Sequence, residues 1–351
     1  MAKKYITQDR LKKNTLADIF IFILEKKQTT RREIEYETGF SWGTVSANVA
    51  FLIEKGYVKE EKSEQSGVAG RTTYLLKLTS DHVVSIGLDI NRSGLSCEVV
   101  ALDSSVIKKF SSDFTAQTQA DVLTQSETLC QTAIDWCAEN GLHIFSLGIA
   151  IQGAVNGRTG ISTRFPNIED WQVYNIKEHF AEKFCLPVYL GHDPKCMLLG
   201  EIYRQRSDNC VLIRVDNSIG MAVSLDGRIL DDTERFELGH ILVDSNKKQE
   251  RLEECGTLHV LEKNAEGKGD TATLLEEAGA YLSRALYNVY TLFKPQRIVL
   301  TGEATKYERF IESATSLLRD EDLKITIDSN ISAAYGAAVE SMKSAIKSYV
   351  T

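Results

Sequence analysis

The chain has 351 residues, of which 43% are hydrophobic and 26% are charged, and its formal net charge is −8 at pH 7. This length allows about two or three hydrophobic cores. No apolar stretch approaches the roughly 18–20 residues of a membrane span, and the start Met-Ala-Lys-Lys-Tyr lacks the apolar core of a secretion signal. We therefore expect a cytoplasmic protein with no membrane partner, whose seven scattered cysteines stay reduced.

The charges are divided unevenly along the chain. Residues 1–80 contain 14 Lys and Arg against 10 Asp and Glu, a net charge of +4, whereas residues 81–351 contain 27 against 39, a net charge of −12. A basic segment ahead of an acidic body is expected when only that segment meets nucleic-acid phosphates. Because the excess is modest, two copies of the segment on one dimer are expected to bind together.

Residues 1–80 show the signals of a winged helix-turn-helix domain. Apolar spacing over residues 16–23 predicts a first amphipathic helix, and Thr30-Arg-Arg-Glu33 has the capping-box pattern that opens a second. A third helix is predicted from the N-cap Ser41 to a left-handed Gly56. Two strands, one starting at residue 57 and one over 72–78, flank a polar loop at 63–71 and complete the domain.

The third predicted helix is the element that such a domain places in the major groove of DNA. Val45, Val49 and Leu52 recur on one face and are expected in the core. The candidate DNA-binding residues lie at the helix cap, on the opposite face and at the start of the second helix: Ser41, Gly43, Thr44, Ser46, Ala47, Arg31 and Arg32. A small three-helix adaptor without a DNA role is the alternative, and the basic charge favours DNA.

Beyond residue 82, two series of elements follow in the same order, each starting with a β-hairpin. The first series is a hairpin at 83–90 and 95–102, a helix at 121–140, a strand at 144–151, a helix at 175–184, a strand at 188–190 and a helix at 195–206. The second is a hairpin at 211–215 and 221–225, a helix at 273–293, a strand at 297–300 and a helix at 306–319. This repetition predicts an α/β body over 83–351 of the duplicated actin-like or sugar-kinase (ribonuclease H-like) type, with lobes at about 83–195 and 196–351.

Several short segments make the chain resemble the ROK family (repressors, open reading frames and sugar kinases), specifically its branch of winged-helix repressors. Their order and spacing along nearly the whole chain carry the resemblance. Besides 39–78, they are Gly148–Gly153, Phe165–Trp171, His192–Asp193, Glu237–His240, Cys255–Gly256, Leu261–Glu262 and Ala334–Ala338. The resemblance implies the two-lobed fold and adds Arg71 as a basic wing tip expected to enter an A·T-rich minor groove.

The loops that hold the nucleotide in ROK kinases differ here. The family's Asp-x-Gly-Gly-Thr in the first hairpin reads Asp-Ile-Asn-Arg-Ser at 89–93. The family's Gly-Thr-Gly-Ile-Gly reads Asp-Asn-Ser-Ile-Gly at 216–220, and the adenosine loop reads Thr-Gly-Glu at 301–303. Backbone N–H groups close around phosphates only where side chains do not intervene, and the Asp216 carboxylate would repel them. We therefore predict that the protein is not an enzyme.

The sugar-binding residues of the family are largely present. By resemblance they are Gly153, Asn167, His192, Asp193, Glu237, His240 and Glu262. Asp193 stands where the kinases keep a general base and is expected here only to hydrogen-bond a sugar hydroxyl. His192 departs from the Asn usual in the family. The alternative is that Glu237 and His240 are ordinary surface groups.

Many family members bind zinc through a His and three Cys. Here Glu253 and Val260 replace two of those Cys, and His259 occupies a glycine position. His240, Glu253, Cys255 and His259 are all residue types that bind zinc, but their spacing does not enforce a site. We predict no metal and no other cofactor.

Together these features lead to the hypothesis of a sugar-responsive repressor of carbohydrate-utilisation genes. It would bind operator DNA as a homodimer or dimer of dimers and be released by a sugar or sugar phosphate between the lobes. Asn167 and Asp193 would come from the first lobe, and Glu237, His240 and Glu262 from the second. The alternatives are a ROK sugar kinase with an appended DNA-binding domain, and a repressor whose signal is a partner protein. Xylose, glucose, N-acetylglucosamine and their phosphates all fit the sugar site.

Overall fold

The computed structural model describes residues 8–62, 73–92, 94–113, 117–166, 168–205, 207, 209–230, 236–245, 248–263, 270–319 and 322–349. The chain divides into two compact units. The first comprises Met1–Gln152, Arg158–Leu190 and Ala337–Thr351, and the second comprises Gly153–Gly157 and Gly191–Gly336.

The N-terminal part of the first unit, which we call the head, contains three helices and a small sheet. Its elements are α1 (Gln8–Lys26), β1 (Gln28–Thr29), α2 (Arg31–Thr38), α3 (Trp42–Glu54), β2 (Val58–Lys62) and β3 (Tyr74–Leu78). Strand β3 lies between β1 and β2 and is antiparallel to both. The three helices and two strands predicted for a winged helix-turn-helix are confirmed. The two-residue β1 was not predicted, and the wing loop with Arg71 lies outside the described residues.

Capping side chains fix where α2 and α3 begin. Oγ1 of Thr30 accepts a hydrogen bond from the backbone N–H of Glu33 at 3.1 Å, and Oγ of Ser41 accepts one from the N–H of Thr44 at 3.3 Å. The Glu33 carboxylate instead accepts a hydrogen bond from Oγ1 of Thr29 at 2.8 Å, so half of the predicted capping box is formed. The core face of α3 is as predicted, since Val45, Val49 and Leu52 are buried.

The rest of the first unit is built on a five-stranded sheet in the order β11-β7-β4-β5-β6. The elements between residues 83 and 192 are β4 (Val83–Asn91), β5 (Gly94–Ala101), β6 (Val106–Ser112), α4 (Gln119–Glu139), β7 (His143–Ile151), β8 (Ala154–Asn156), β9 (Ile161–Arg164), β10 (Tyr174–Asn175), α5 (Ile176–Phe184) and β11 (Val188–His192). Strand β4 pairs antiparallel with β5 and parallel with β7. Its residues from Val83 to Ile90 are all buried, as expected for a strand covered on both faces.

Aromatic rings connect the head to the sheet within the first unit. The ring of Tyr57 stacks on Phe20 of α1 with 5.3 Å between centroids, and it meets Phe145 of β7 edge-on at 6.5 Å. Nζ of Lys343 lies 2.9 Å from a carboxylate oxygen of Glu25 in α1. These contacts hold α1 against the sheet and against the last helix of the chain.

The second unit contains another five-stranded sheet, in the order β14-β13-β12-β17-β18. The elements from residue 193 onward are α6 (Asp193–Arg204), β12 (Cys210–Val215), β13 (Ile219–Leu225), β14 (Arg228–Ile229), a 3-10 turn (Leu238–His240), β15 (Leu242–Ser245), β16 (Lys248–Arg251), α7 (Leu252–Cys255), α8 (His259–Lys263), α9 (Thr271–Phe293), β17 (Arg297–Thr301), a 3-10 turn (Glu303–Lys306), α10 (Glu308–Ala314), a 3-10 turn (Ser316–Leu318), β18 (Lys324–Ile327) and α11 (Ala333–Tyr349). Strand β12 pairs antiparallel with β13 and parallel with β17, which repeats the pairing of β4. The predicted duplication is confirmed.

The predicted helix over 306–319 is too long. Helix α10 occupies only Glu308–Ala314, and the chain tightens into a 3-10 turn at Ser316–Leu318. At the end of α10, Oγ1 of Thr315 donates a hydrogen bond to the carbonyl oxygen of Ile311. Beyond it, the backbone N–H of Leu317 donates one to Oγ of Ser283 in α9 at 3.2 Å. A tertiary hydrogen bond from α9 thus redirects the segment, which helical periodicity does not reveal.

The compact units differ from the predicted lobes of 83–195 and 196–351. Most of α11 belongs to the first unit. Its backbone packs closely against β7 at Gly148, where an added Cβ would lie 2.0 Å from the carbonyl oxygen of Ala337. A chain of buried hydroxyls from Ser85 through Ser146 to Ser341 also joins α11 to the sheet, with oxygen separations of 2.6 and 2.8 Å. Asp193, expected in the first lobe, lies in the second unit, in the long segment that begins at Gly191.

Among the described residues, none of the helices has the length and apolar character needed to cross a membrane.

Candidate functional site

Asp193 is the central residue of the candidate site. It is the first residue of α6, where a carboxylate interacts favourably with the helix dipole, and Pro194 follows it. Asp193 is 2% exposed, and the adjacent Pro194 packs against Gly220 of β13, where a Cβ would lie 2.6 Å from the proline ring. A charged group this deeply buried needs internal partners.

Arg214 of β12 is the main partner of Asp193. Its Nη1 donates a hydrogen bond to Oδ2 of Asp193 at 2.5 Å, and its Nε donates one to Oδ2 of Asp216 at 2.6 Å. One guanidinium group thus bridges two carboxylates. Oδ1 of Asp193 accepts no hydrogen bond from any residue that the structure describes, although Nε2 of His192 lies 3.3 Å away outside hydrogen-bond geometry.

Asp216 is held in the turn between β12 and β13. Its Oδ1 accepts a hydrogen bond from the backbone N–H of Glu303 at 2.7 Å. The neighbouring Gly302 has a φ of 99°, and a Cβ there would lie 2.6 Å from the same carboxylate oxygen. The backbone N–H at this glycine turn, of the kind that can hold a phosphate oxygen, therefore binds a carboxylate of the protein's own.

Glu237 precedes a 3-10 turn in the same unit, and His240 is the last residue of that turn. Nδ1 of His240 lies 3.5 Å from a carboxylate oxygen of Glu237, and its Nε2 lies 3.4 Å from one of Glu253 on α7. A Cβ on Gly239 would come within 3.2 Å of the carbonyl oxygen of Ile219, so the turn packs against the start of β13. His240 is thus an imidazole placed between two carboxylates at the end of the hairpin that carries Asp216.

Of the four residues considered as zinc ligands, His240 and Glu253 lie together, whereas Cys255 and His259 make other contacts. The Cys255 thiol faces carbonyl groups at the start of its own helix, 3.8 Å from the oxygens of Arg251 and Leu252. Nε2 of His259 lies 3.5 Å from Glu254. In the portion of the chain that the structure describes, no group of three or more His, Cys, Asp or Glu side chains is arranged to hold a metal ion.

The remaining predicted sugar-binding residues are only partly described. Gly153 belongs to the second unit, and its φ of 101° is a conformation that favours glycine. Asn167 lies outside the described residues. Two residues near it in the sequence, Phe165 and Trp171, are buried, and their rings stack with 5.2 Å between centroids. Glu262 lies in α8, but its side chain is not described.

In the head, α3 presents an exposed face made largely of small or apolar residues. Gly43 and Ala47 are exposed, while Thr44 and Ser46 are half-buried. Two exposed residues that the sequence analysis did not select, Ala50 and Phe51, lie farther along the helix. Oγ of Ser41 and Oγ1 of Thr44 lie 2.9 Å apart in a hydrogen bond, so the hydroxyl groups at the helix start bind each other.

The arginines predicted to bind phosphates have different surroundings. Arg31 forms an ion pair with Glu60 of β2, which links α2 to the sheet. Arg32 is exposed. The Arg31 guanidinium is thus already neutralised within the head.

A sequence model of the ROK family matches residues 85–269, more than half of the chain. The chain belongs to the ROK family. Curated ROK relatives include the N-acetylglucosamine repressor of Escherichia coli O6:H1, which is 22% identical over 343 residues and covers 86% of this chain and 84% of its own. The xylose repressor of Bacillus subtilis (strain 168) is 22% identical over 309 residues, covering 79% of each chain.

Solved ROK structures share the fold. A ROK family transcriptional regulator, a homolog of the Escherichia coli MLC protein, superposes with a TM-score of 0.79 at 19% identity, covering 96% of this chain and 97% of its own. A ROK glucokinase from Streptomyces griseus, in complex with glucose and AMPPNP, superposes with a TM-score of 0.63 at 17% identity, covering 74% of this chain and 99% of its own. The ROK fold, with its actin-like sugar-kinase body, is therefore present.

Sequence reasoning missed Arg214, which the ROK resemblance does not assign to any site. One signal was available, since a lone arginine occurs in the otherwise apolar strand Cys210–Val215, two residues before Asp216. A cation in such a strand needs a carboxylate partner. The sequence could not show which carboxylate, because Asp193 lies on a different element.

Proposed function

We propose that this ROK protein is a sugar-responsive transcriptional repressor of carbohydrate-utilisation genes, without kinase activity. It binds operator DNA through its head and releases it when a neutral sugar or a sugar phosphate binds at Asp193. The single observation that carries the proposal is a head of three helices and a small sheet joined to a ROK body.

The DNA-binding part of the proposal rests on the exposed face of α3. Gly43 and Ala47 leave this face free of bulk, as an element entering the major groove requires. Arg32 near the start of α2, and Arg71 in the wing, are proposed to contact the DNA backbone and the minor groove. Ser41, Thr44 and Ser46 complete the proposed surface, while Arg31 would have to exchange Glu60 for a phosphate.

The absence of kinase activity is proposed from the network around Arg214. A kinase base must accept the proton of the sugar hydroxyl, whereas Asp193 is bound to a guanidinium. The carboxylate of Asp216 accepts the N–H of Glu303 and lies in a loop that resembles the phosphate loop of the kinases. A nucleotide phosphate would have to displace this carboxylate and overcome its repulsion.

The sugar role is proposed from Asp193 together with His192, Glu237, His240, Gly153, Asn167 and Glu262. Their carboxylate, imidazole and amide groups can accept and donate the directed hydrogen bonds that sugar hydroxyls require. The repressors that match the chain are named for N-acetylglucosamine and for xylose, so the comparison supports a sugar without selecting one.

We also propose that the protein acts in the cytoplasm as a homodimer or a dimer of dimers. A single head with a net charge of +4 offers few phosphate contacts, and a two-fold operator doubles them. Sedimentation velocity of the full chain should give a dimer or tetramer at micromolar concentration. A monomer that binds DNA tightly would contradict this.

The direct test begins with selection of binding sites from a random pool of DNA duplexes by the full chain. We expect a preferred sequence whose affinity falls about 5–150-fold when the effector sugar is added. A sugar-phosphorylation assay with ATP, run on the same preparation, should give no product. Failure to enrich any sequence would overturn the repressor proposal.

The competing proposal is a ROK sugar kinase with an appended DNA-binding domain. The buried Asp193 and the structural similarity to a glucokinase favour it. ATP-dependent formation of a phosphorylated sugar would establish this alternative, whatever the head binds.

A further inference from the structure

We propose that Arg214 and Asp216 make the Asp193 site selective for neutral sugars and exclude sugar phosphates. This inference rests on the proposed function, because it concerns the effector of the same site. It assigns to Arg214 the role of a specificity-determining residue.

The part of the site that receives a ligand is Oδ1 of Asp193. This oxygen is buried and accepts no hydrogen bond from the residues that the structure describes. Burying an acceptor without a donor costs free energy, which a ligand that donates a hydrogen bond recovers. A sugar hydroxyl donates, whereas a fully ionised phosphate only accepts, so Asp193 favours the hydroxyl.

The charge balance around Asp193 opposes an anion. Arg214 contacts one oxygen of Asp193, and its Nη1 and Nε already donate to Asp193 and Asp216, while the other oxygen of Asp193 lies 3.3 Å from Nε2 of His192. Two carboxylates therefore share one positive charge, which leaves this group of three side chains with a net charge of −1. A phosphate brought next to Asp193 would face this excess negative charge, with the guanidinium already engaged.

Asp216 is the residue that creates this balance. Without its charge, Arg214 would be shared between Asp193 and an incoming anion. Oδ1 of Asp216 also accepts a hydrogen bond from the backbone N–H of Glu303, and this N–H is therefore not available to a phosphate oxygen. Asp216 thus acts on the ligand through Arg214 and Glu303.

The experiment uses matched pairs of ligands on the full chain at pH 8. Titration calorimetry compares glucose with glucose 6-phosphate and N-acetylglucosamine with N-acetylglucosamine 6-phosphate, and it tests xylose as a further neutral sugar. We expect one neutral sugar to bind and its phosphate to bind at least about tenfold more weakly. A phosphate that binds as well as or better than its neutral partner would overturn the inference while leaving the repressor proposal intact.

An Asp216→Asn variant tests the proposed cause. The amide oxygen can still accept from Glu303, while the negative charge is removed, so we expect the affinity for the phosphorylated partner to rise about tenfold. Asp226→Asn is the matched control, because Asp226 lies exposed in the next turn of the same sheet and the change in net charge is identical. The role of Asp216 would be contradicted if both variants gained the same affinity for the phosphorylated sugar. It would also be contradicted if Asp216→Asn gained no affinity while its thermal unfolding stayed unchanged. If no ligand of any pair binds, both the inference and the sugar part of the proposed function fail, whereas DNA site selection tests the head separately.

Discussion

The exposed face of α3 and the buried surroundings of Asp193 differ in what holds their residues in place. On α3, a Cβ added to Gly43 would have nothing within 4 Å, so the fold imposes no steric demand there. At Asp193, the partners Arg214 and Asp216 hold one another through charge-assisted hydrogen bonds. The contrast implies that substitutions on α3 change binding with little effect on stability, whereas substitutions around Asp193 change both together.

The largest effect on stability is expected for Arg214→Met. It leaves Asp193 buried without its guanidinium partner, and we expect the free energy of unfolding to fall by about 3–5 kcal/mol. Urea denaturation measures this loss. The double variant Arg214→Met, Asp193→Asn removes the charge together with its partner and should recover a large part of it. A single variant as stable as the wild-type protein would mean that the ion pair contributes nothing.

On the other side of the comparison, Ala47→Asp should abolish binding without unfolding the head. A carboxylate on the exposed face of α3 would meet the negative potential of the groove, and we expect at least a ~100-fold loss of affinity for the selected DNA site. Gel-shift titration measures it. Val49 lies two residues farther along α3 and is fully buried, so Val49→Asp should instead destabilise the head. If Ala47→Asp kept wild-type affinity, α3 would not be the recognition helix.

Smaller effects are expected from the buried thiols of the first unit, which lie in neither binding region. Burial raises the pKa of Cys130 to about 12 and the pKa of Cys137 to about 11. Because these pKa values are higher in the folded state than the ordinary pKa of a cysteine thiol, the folded protein keeps protons that the unfolded chain releases, and stability should fall as pH rises above about 9. Urea denaturation at pH 8 and at pH 10 measures the free energy of unfolding. Its decrease between the two pH values should be about 1 kcal/mol smaller in Cys130→Ala than in the wild-type protein. Identical losses would contradict the thiol contribution.

The smallest effect is expected for Gly43→Ala. Alanine stabilises a helix relative to glycine, so the variant should be more stable by roughly 0.5–1 kcal/mol. If α3 approaches DNA closely at this position, affinity for the selected site should fall at the same time. Thermal unfolding and gel-shift titration on the same preparation measure both. Unchanged DNA affinity would place Gly43 outside the interface.

The secondary structure was largely predictable because the signals are local. Apolar spacing in α3, the caps at Thr30 and Ser41, and the strand runs of both hairpins each depend on residues a few positions apart. The assignment of α11 to the first unit was not predictable. It depends on the close approach between Gly148 and Ala337, which are far apart in sequence.

For the candidate site, the sequence supplied residue types, which stay a prediction, and did not supply the network of contacts around them. Resemblance selected Asp193, Glu237 and His240, and the structure places all three in the second unit. Arg214 was missed, because its importance depends on two carboxylates from different segments meeting one guanidinium. Sequence spacing carries no information on such a meeting.

If this ROK protein is a sugar-responsive repressor, a sugar reverses its binding to DNA and is not phosphorylated by it. The most direct measurement is the affinity of the full chain for its selected DNA site with and without glucose, N-acetylglucosamine and xylose, together with an assay for sugar phosphorylation by ATP. We expect one neutral sugar to lower the affinity about 5–150-fold, with no phosphorylated sugar formed. DNA affinity unchanged by every sugar, accompanied by ATP-dependent phosphorylation of one of them, would contradict it.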